Sequence, residues 1–450
     1  MTETVELPLW LVVLALILAA VAALERVLMP SARWFLRRRA ERLVARLNIH
    51  LARPIRPFRL MARADRIVQL TYDPKVVQAA MDHAQETGTP EPVAFEAARK
   101  AAREIVPGFS ALVYFGVATR LARWLSRALY TVRVRPVDAA LAGIDREATV
   151  VFVMNHRSNM DYVLVTWLVA NRSALSYAVG EWARVWPLSA MIRAMGAYFI
   201  RRGSRDPLYR RVLARYVQII TAEGVTQAIF PEGGLSLDGR VGAARMGLLS
   251  YILQDFGPDH RDVVFVPVGI GYDRVLEDRL LVEAAAKGER RFRAGPLGVL
   301  GFLWRMARRK WKGTYSGFGH AGVAFGAPIS LRDWLATHPA DAEALGTALM
   351  QRVGEAVPVL PVPLAAAALR RGAAAVPELV SRAMALAQDL RAQGAVMELG
   401  EAPETALVGA FEVLRMRGMM DAAGQVPADQ MALLAFQAGT VEQRISNSIS

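Results

Sequence analysis

Three short apolar runs constrain this chain most: Ala148–Met154 (ATVVFVM), Val225–Phe230 and Val263–Gly269 (VVFVPVG). Each is rich in β-branched residues and lacks polar alternation, the pattern of a strand buried on both faces. Helical stretches such as Pro207–Glu223 lie between them, and a further strand-like piece, Ala321–Phe325, follows. Strands separated by helices predict an α/β architecture with a largely buried sheet. Beyond Ser330-Leu-Arg-Asp333, a helix start by its Ser and Asp, the chain is Ala/Leu-rich and predicted helical to its end. There is no internal repeat.

The N-terminal quarter is different. Hydrophobic residues make up 54% of the 450, and Leu7–Leu24 contains no charge. At ~1.5 Å per residue such a helix approaches the ~30 Å hydrocarbon core of a bilayer. Twelve arginines from Arg26 to Arg66 follow it, against Glu25, Glu41 and Asp65, so this stretch supplies +9 of a net charge of +14. Basic residues after the apolar segment and acidic ones before it (Glu3, Glu6) predict a transmembrane anchor with the bulk of the chain on the cytoplasmic side. A cleaved signal peptide would carry a positive leading segment instead. Arg37-Arg38-Arg39 beside Trp34 and Phe35 then form a headgroup-level collar, and no nucleic-acid partner is implied.

The organisation expected is an anchor over 1–30, a basic helical region at the membrane surface over 31–107, a catalytic domain over 108–335 and a helical C-terminal region over 336–450. Within Phe109–Tyr130, the apolar patch Ala111–Ala118 is too short to span a membrane and is read as a core helix in preference to an interfacial one; an Arg/Leu/Trp helix, Arg120–Arg127, follows it. Phe302–Lys312 mixes Trp304 and Trp311 with five cations. It is read as a second membrane contact or a site for acidic groups of a ligand. Cysteine is absent, which excludes disulfides, thiolate metal sites and a cysteine nucleophile.

The chemistry concentrates in Asn155-His-Arg-Ser-Asn-Met-Asp161, just past the first apolar run. With Ser158 as an N-cap, His156 falls in the strand-to-helix turn and Asp161 in the first helical turn. Asp161 can then accept Nδ1–H of His156 and leave Nε2 to remove a proton from a hydroxyl. The same spacing also fits a plain capping box, with Asp161 bonding only backbone N–H groups. Downstream, Arg201 and Arg202 close the run Gly196-Ala-Tyr-Phe-Ile-Arg-Arg202 and can clamp a phosphate. In Phe230-Pro-Glu-Gly-Gly234, Glu232 can hold a hydroxyl, while Gly233 and Gly234 permit close backbone approach. The remaining histidines, His50, His83, His260, His320 and His338, have no carboxylate at matching spacing and are read as structural or surface groups.

These blocks, with Val266-Pro-Val268, Gly271–Glu277 and Val323–Ser330, resemble the glycerolipid acyltransferase family, and its bacterial glycerol-3-phosphate acyltransferase branch in particular. The resemblance implies a mixed sheet flanked by helices, as in glycerol-phosphate acyltransferases, sitting at the inner (cytoplasmic) membrane. It implies acyl transfer from acyl-CoA or acyl-carrier protein to the sn-1 hydroxyl of glycerol 3-phosphate. No cofactor or metal takes part; membrane lipids, the donor and the glycerol phosphate acceptor are the partners. His156 would be the base, Asp161 its orienting partner, and Arg157, Arg201, Arg202, Glu232, Gly233, Gly234, Ser236, Arg240 and Arg245 the substrate-binding set. One departure stands out: Leu235 and Leu237 occupy positions where that branch usually carries arginine. An acceptor that already bears an acyl chain would suit them, so lysophosphatidate is the alternative acceptor. A non-catalytic lipid-binding protein is the alternative of another class.

Overall fold

The computed structural model describes residues 8–24, 35, 38, 41–42, 44–49, 51–135, 140–170, 172–180, 188–201, 204–288, 308 and 317–447. It forms two units, 1–54 and 55–450. Arg37, Arg39, Trp34, Arg202 and, Arg308 apart, Phe302–Lys312 lie outside the described residues.

In the first unit, helix α1 (Leu9–Ala23) is apolar throughout and exposes Leu9, Trp10 and Leu16. Its 15 residues reach ~22 Å at 1.5 Å per residue, short of a ~30 Å core. Among the described residues no helix is long and apolar enough to cross a membrane, so the expected spanning helix is not observed.

In the second unit a single helical turn, Pro57–Leu60, leads into α2 (Arg63–Thr71), α3 (Pro74–Thr87) and α4 (Glu91–Ile105). Part of the basic run lies inside this unit and not on a surface. Arg59 is 4% exposed and Arg66 3%. The Arg59 guanidinium donates to the carbonyls of Ala174, Leu175 (2.6 Å) and Met195 (3.3 Å) and lies over the Phe109 ring. Arg66 donates to the Pro107 carbonyl at 2.7 Å. Burial lowers the Arg59 pKa to about 10, and carbonyl acceptors replace the lost water.

A π-helical segment (Leu112–Ala118) runs into α5 (Thr119–Leu129). The sheet follows, with β1 (Thr131–Val134), β2 (Thr149–Met154), β3 (Ser176–Val179), β4 (Tyr198–Phe199), β5 (Gln227–Ile229), β6 (Val263–Tyr272), β7 (His320–Phe325) and β8 (Ile329–Ser330). Helices α6 (Met160–Val169), α7 (Pro207–Ala222), α8 (Gly247–Gln254) and α9 (Asp278–Ala286) are interspersed. Strand order is β1-β7-β6-β2-β5-β3-β4, with β8 added to β6. Pairing is parallel except where β6 meets β7 and β8, so the sheet is mixed. The predicted runs become β2, β5 and β6; every residue of each is buried, which is why their sequences do not alternate.

Ser330 caps α10 (Leu331–Thr337) as expected, its side chain accepting from Asp333 N–H. Then come α11 (Ala342–Ala356), α12 (Pro361–Leu369), α13 (Val376–Ala392), α14 (Pro403–Met416) and α15 (Met431–Asn447). Every residue of α12 is buried, because it forms the axis of a separate apolar core with α13, α14 and α15 around it. Its Ala-rich sequence permits that close packing on all sides.

Candidate active site

Strand β2 ends at Met154 and points the next residues out of the sheet. The Asn155 carboxamide continues the ladder: its Nδ2 donates to Ile270 O at 2.9 Å and its Oδ1 accepts from Ile270 N at 2.8 Å. By standing in for a peptide group it gives both the N–H and the carbonyl of Ile270 a partner where β2 ends. His156 follows in the turn, its N–H donating to Glu232 Oε1 at 2.9 Å and its carbonyl accepting from Ser236 N at 2.9 Å.

Helix α6 starts at Met160, with Asn159 at the N-cap position, one residue later than a Ser158 cap predicts. Asp161 is in its first turn and fully buried. One oxygen, Oδ2, faces His156 Nδ1 at 2.9 Å, Arg157 N at 2.8 Å and Ser158 N at 3.0 Å. Capping and orienting are therefore the same arrangement. Because Asp161 is an acceptor to both backbone groups, Nδ1 carries the hydrogen and Nε2 keeps its lone pair. The imidazole packs against Phe230, ring centroids 4.3 Å apart, and is 1% exposed.

Two residues outside the sequence-derived set complete the surroundings. Tyr272, at the end of β6, donates its hydroxyl to Asp161 Oδ1 at 2.6 Å. Glu277 accepts from Ser158 Oγ at 2.8 Å and from Asn159 Nδ2 at 3.0 Å, holding the turn from its far side. Burial raises the Glu277 carboxyl above its ordinary range, opposed by the Ser158 and Asn159 donors. Both residues belong to the Gly271–Glu277 block, and their position one strand from β2 is the signal that places them.

Glu232 has its pKa pushed up to about 8 by burial, against the pull of the His156 and Gly242 N–H groups and of Arg157. Gly233 adopts φ +69°, and a Cβ there would strike the Arg245 side chain, whereas at Gly234 it would meet open space. Ser236 Oγ donates to Arg240 O at 2.7 Å and ties the loop to itself. Arg240 and Arg245 are exposed on this loop, and among the described residues neither guanidinium has an ion-pair partner.

The other arginines are engaged internally. Arg157 is 2% exposed, lies over the Phe436 ring and donates to the Gly239 carbonyl. Arg201 forms a two-pronged pair with Glu104, at 2.9 and 2.6 Å. The loop also meets α15: Gln443 Oε1 accepts from Val241 N and its Nε2 donates to Val241 O, both at 2.8 Å. A Cβ on Gly439 would lie 2.7 Å from Asp238 O, so backbone touches backbone there.

A second histidine has a carboxylate that sequence spacing missed. His320 Nδ1 is 2.7 Å from Asp273 Oδ2, and Asp273 Oδ1 accepts from Val362 N at 3.0 Å. The pair fastens β6 and β7 to the start of α12. Among the described residues no group of histidines and carboxylates could hold a metal ion.

The family described as Acyltransferase matches residues 120–271, and that described as Glycerol-3-phosphate acyltransferase C-terminal region matches residues 303–439. A glycerol-3-phosphate acyltransferase of Aeromonas hydrophila is 31% identical over 59% of this chain and 32% of its own length. One of Pasteurella multocida is 32% identical over 62% of this chain and 34% of its own. The chain thus spans about a third of the length of the curated relatives it matches. The crystal structure of a 1-acyl-sn-glycerophosphate acyltransferase from Thermotoga maritima covers 65% of this chain and 97% of its own, with 18% identity and a TM-score of 0.33, too low to establish a shared fold. The His156–Asp161 pair lies inside the first matched segment, and α11–α14 with the first half of α15 lie inside the second, so the chain carries an acyltransferase domain followed by a region similar to the C-terminal region of glycerol-3-phosphate acyltransferases.

Proposed function

We propose that this chain transfers an acyl group from acyl-CoA or acyl-carrier protein to the sn-1 hydroxyl of glycerol 3-phosphate. The observation that carries the reading is the Nδ1–H of His156 held on Asp161 at 2.9 Å, which leaves Nε2 as the proton acceptor. In the step proposed, Nε2 takes the acceptor hydroxyl proton as that oxygen attacks the thioester carbonyl. The tetrahedral intermediate collapses, the C–S bond breaks, and the leaving thiolate recovers the proton from Nε2. Asp161 stabilises the imidazolium formed between these events, and no enzyme nucleophile is required. Exposed Arg240 and Arg245 suit the acceptor phosphate, beside the room at Gly234. A metal or cofactor has no part in this proposal.

A second reading, acylation of lysophosphatidate, is favoured by Leu235 and Leu237, which are partly exposed on the same loop. Labelled acyl donor supplied with either acceptor separates the two. Transfer to glycerol 3-phosphate supports the first, exclusive use of lysophosphatidate replaces it with the second, and transfer to neither refutes both.

The site is also proposed to work at the cytoplasmic face of a membrane, with lipids as partners and α1 as one apolar contact. The support is the exposed apolar surface of α1 and the arginines that follow it in sequence. Flotation of the purified chain with lipid vesicles tests this.

A further inference from the structure

The segment from Leu112 through α5 has two faces. Tyr114, Ala118, Ala122, Ser126 and Leu129 point inward and are buried, Tyr114 accepting from Leu175 N–H at 3.0 Å. Outward lie Leu112 (66% exposed), Val117 (57%), Leu121 (44%) and Trp124 (63%). Their spacings of five, four and three match one π-helical turn followed by α-helical turns, so the change of helix type keeps them on one side. Beside them Arg120, Arg123 and Arg127 are exposed at the helical spacing of three and four.

This exposure corrects the reading of Ala111–Ala118 as core, since Leu112 and Val117 of that run face outward. Large apolar residues lined up along solvent mark a contact surface. The charge identifies its occupant. No Asp or Glu occurs from residue 105 to residue 137, and the chain carries +14 overall. A second copy would bring the same positive stripe and be repelled, whereas an anionic lipid surface offers hydrocarbon for the leucines and phosphates for the arginines. Tryptophan suits that boundary, having an apolar body and one polar N–H. We propose that the outer face of Leu112–Arg127 lies in the interface of an anionic bilayer, with Leu112, Val117, Leu121 and Trp124 inserted and Arg120, Arg123 and Arg127 at headgroup level.

The consequence reaches the site through one packing contact. Arg127 lies over the Trp167 ring of α6 at 5.3 Å, and α6 is the helix whose first turn carries Asp161. A bilayer on this face is thus one helix layer from the reacting groups.

The inference rests on the membrane association proposed above, and the experiment separates the two. The chain contains no cysteine, so Leu121→Cys gives a single attachment point for a polarity-sensitive fluorophore in the full chain. The control is exposed Thr405→Cys on α14. Vesicles of phosphatidylcholine alone and mixed with phosphatidylglycerol are added. Expected is a blue shift and several-fold brightening at position 121 with the mixed vesicles, quenched by shallow spin-labelled lipid, with position 405 unmoved. Replacing Arg120, Arg123 and Arg127 by Gln should abolish the difference between the two vesicle types. Flotation without a response at 121 refutes this surface and leaves membrane association standing through another segment; no flotation refutes the association itself. A probe at 121 that is already blue-shifted before vesicles and unchanged by them means that the chain or a second copy covers the face, which overturns the proposal.

Discussion

The hydroxyl of Tyr272 donates to Asp161 Oδ1 at 2.6 Å, while the opposite oxygen of the same carboxylate holds His156 Nδ1 at 2.9 Å. The tyrosine therefore competes with the histidine for the charge of one buried group. Tyr272→Phe removes one of the groups that hold this carboxylate in place. The lost positioning should lower kcat about tenfold, the effect of one hydrogen bond to a charged group, with little change in either KM. Steady-state kinetics check it; a normal kcat in the folded variant refutes the positioning role.

His156→Ala should reduce turnover by ~10²–10⁴-fold, the usual contribution of a placed base. Thermal unfolding should remain cooperative, since the imidazole's own partners are Asp161 and the rings of Phe230 and Tyr162. Near-normal turnover in a folded variant would exclude the base role.

Arg240→Ala should raise KM for the phosphate-bearing acceptor by about tenfold with little change in kcat, because a phosphate contact serves the ground and transition states alike. Steady-state kinetics with acceptor varied at saturating donor decides it. An unchanged KM would remove Arg240 from the acceptor site.

Glu232 gives a pH dependence whose sign follows from its raised pKa, about 8 folded against an ordinary 4.5. The folded state retains the proton longer than the unfolded chain, so stability falls as pH rises from about 4.5 to about 8 and levels off above that. Glu232→Gln keeps a carbonyl to accept from His156 N–H and removes the titration. Its melting temperature should be flatter over this window and a few degrees above wild type at the alkaline end, read by calorimetry across pH.

Much of the catalytic centre was legible because it is local. Strands β2, β5 and β6 announced themselves through runs that do not alternate, and His156 and Asp161 sit within one strand-turn-helix. The pairing of β1 with β7 and of β3 with two-residue β4 was not legible, since a short strand borrows its stability from neighbours distant in sequence. Tyr272 was missed for the same reason, 111 residues from its partner. Arg59 and Arg66 misled because charge in a sequence does not tell whether backbone carbonyls will enclose it. Arg157 and Arg201, expected at the acceptor, have internal partners in Gly239 and Glu104, which no local pattern encodes. Position 202 lies outside the described residues.

The contact between Gly439 of α15 and the backbone of Asp238 and Gly239 leaves no room for a methyl group. Gly439→Ala should push the loop off its seat, at a cost of about 1–3 kcal/mol for overpacking, and raise the acceptor KM more than the donor KM. Equal effects on both substrates would reduce the contact to general packing.

That seat also sets how the chain can be divided. A loop that carries Ser236, Arg240 and Arg245 has its outer wall made by residues some two hundred positions later, through Phe436, Gly439 and Gln443. Cutting the polypeptide before α15 would not yield a smaller enzyme with a trimmed tail. It would yield a sheet with the His156–Asp161 pair intact and the loop proposed to hold the acceptor unsupported. During synthesis, moreover, the loop must wait for the last helix before it can take its working shape.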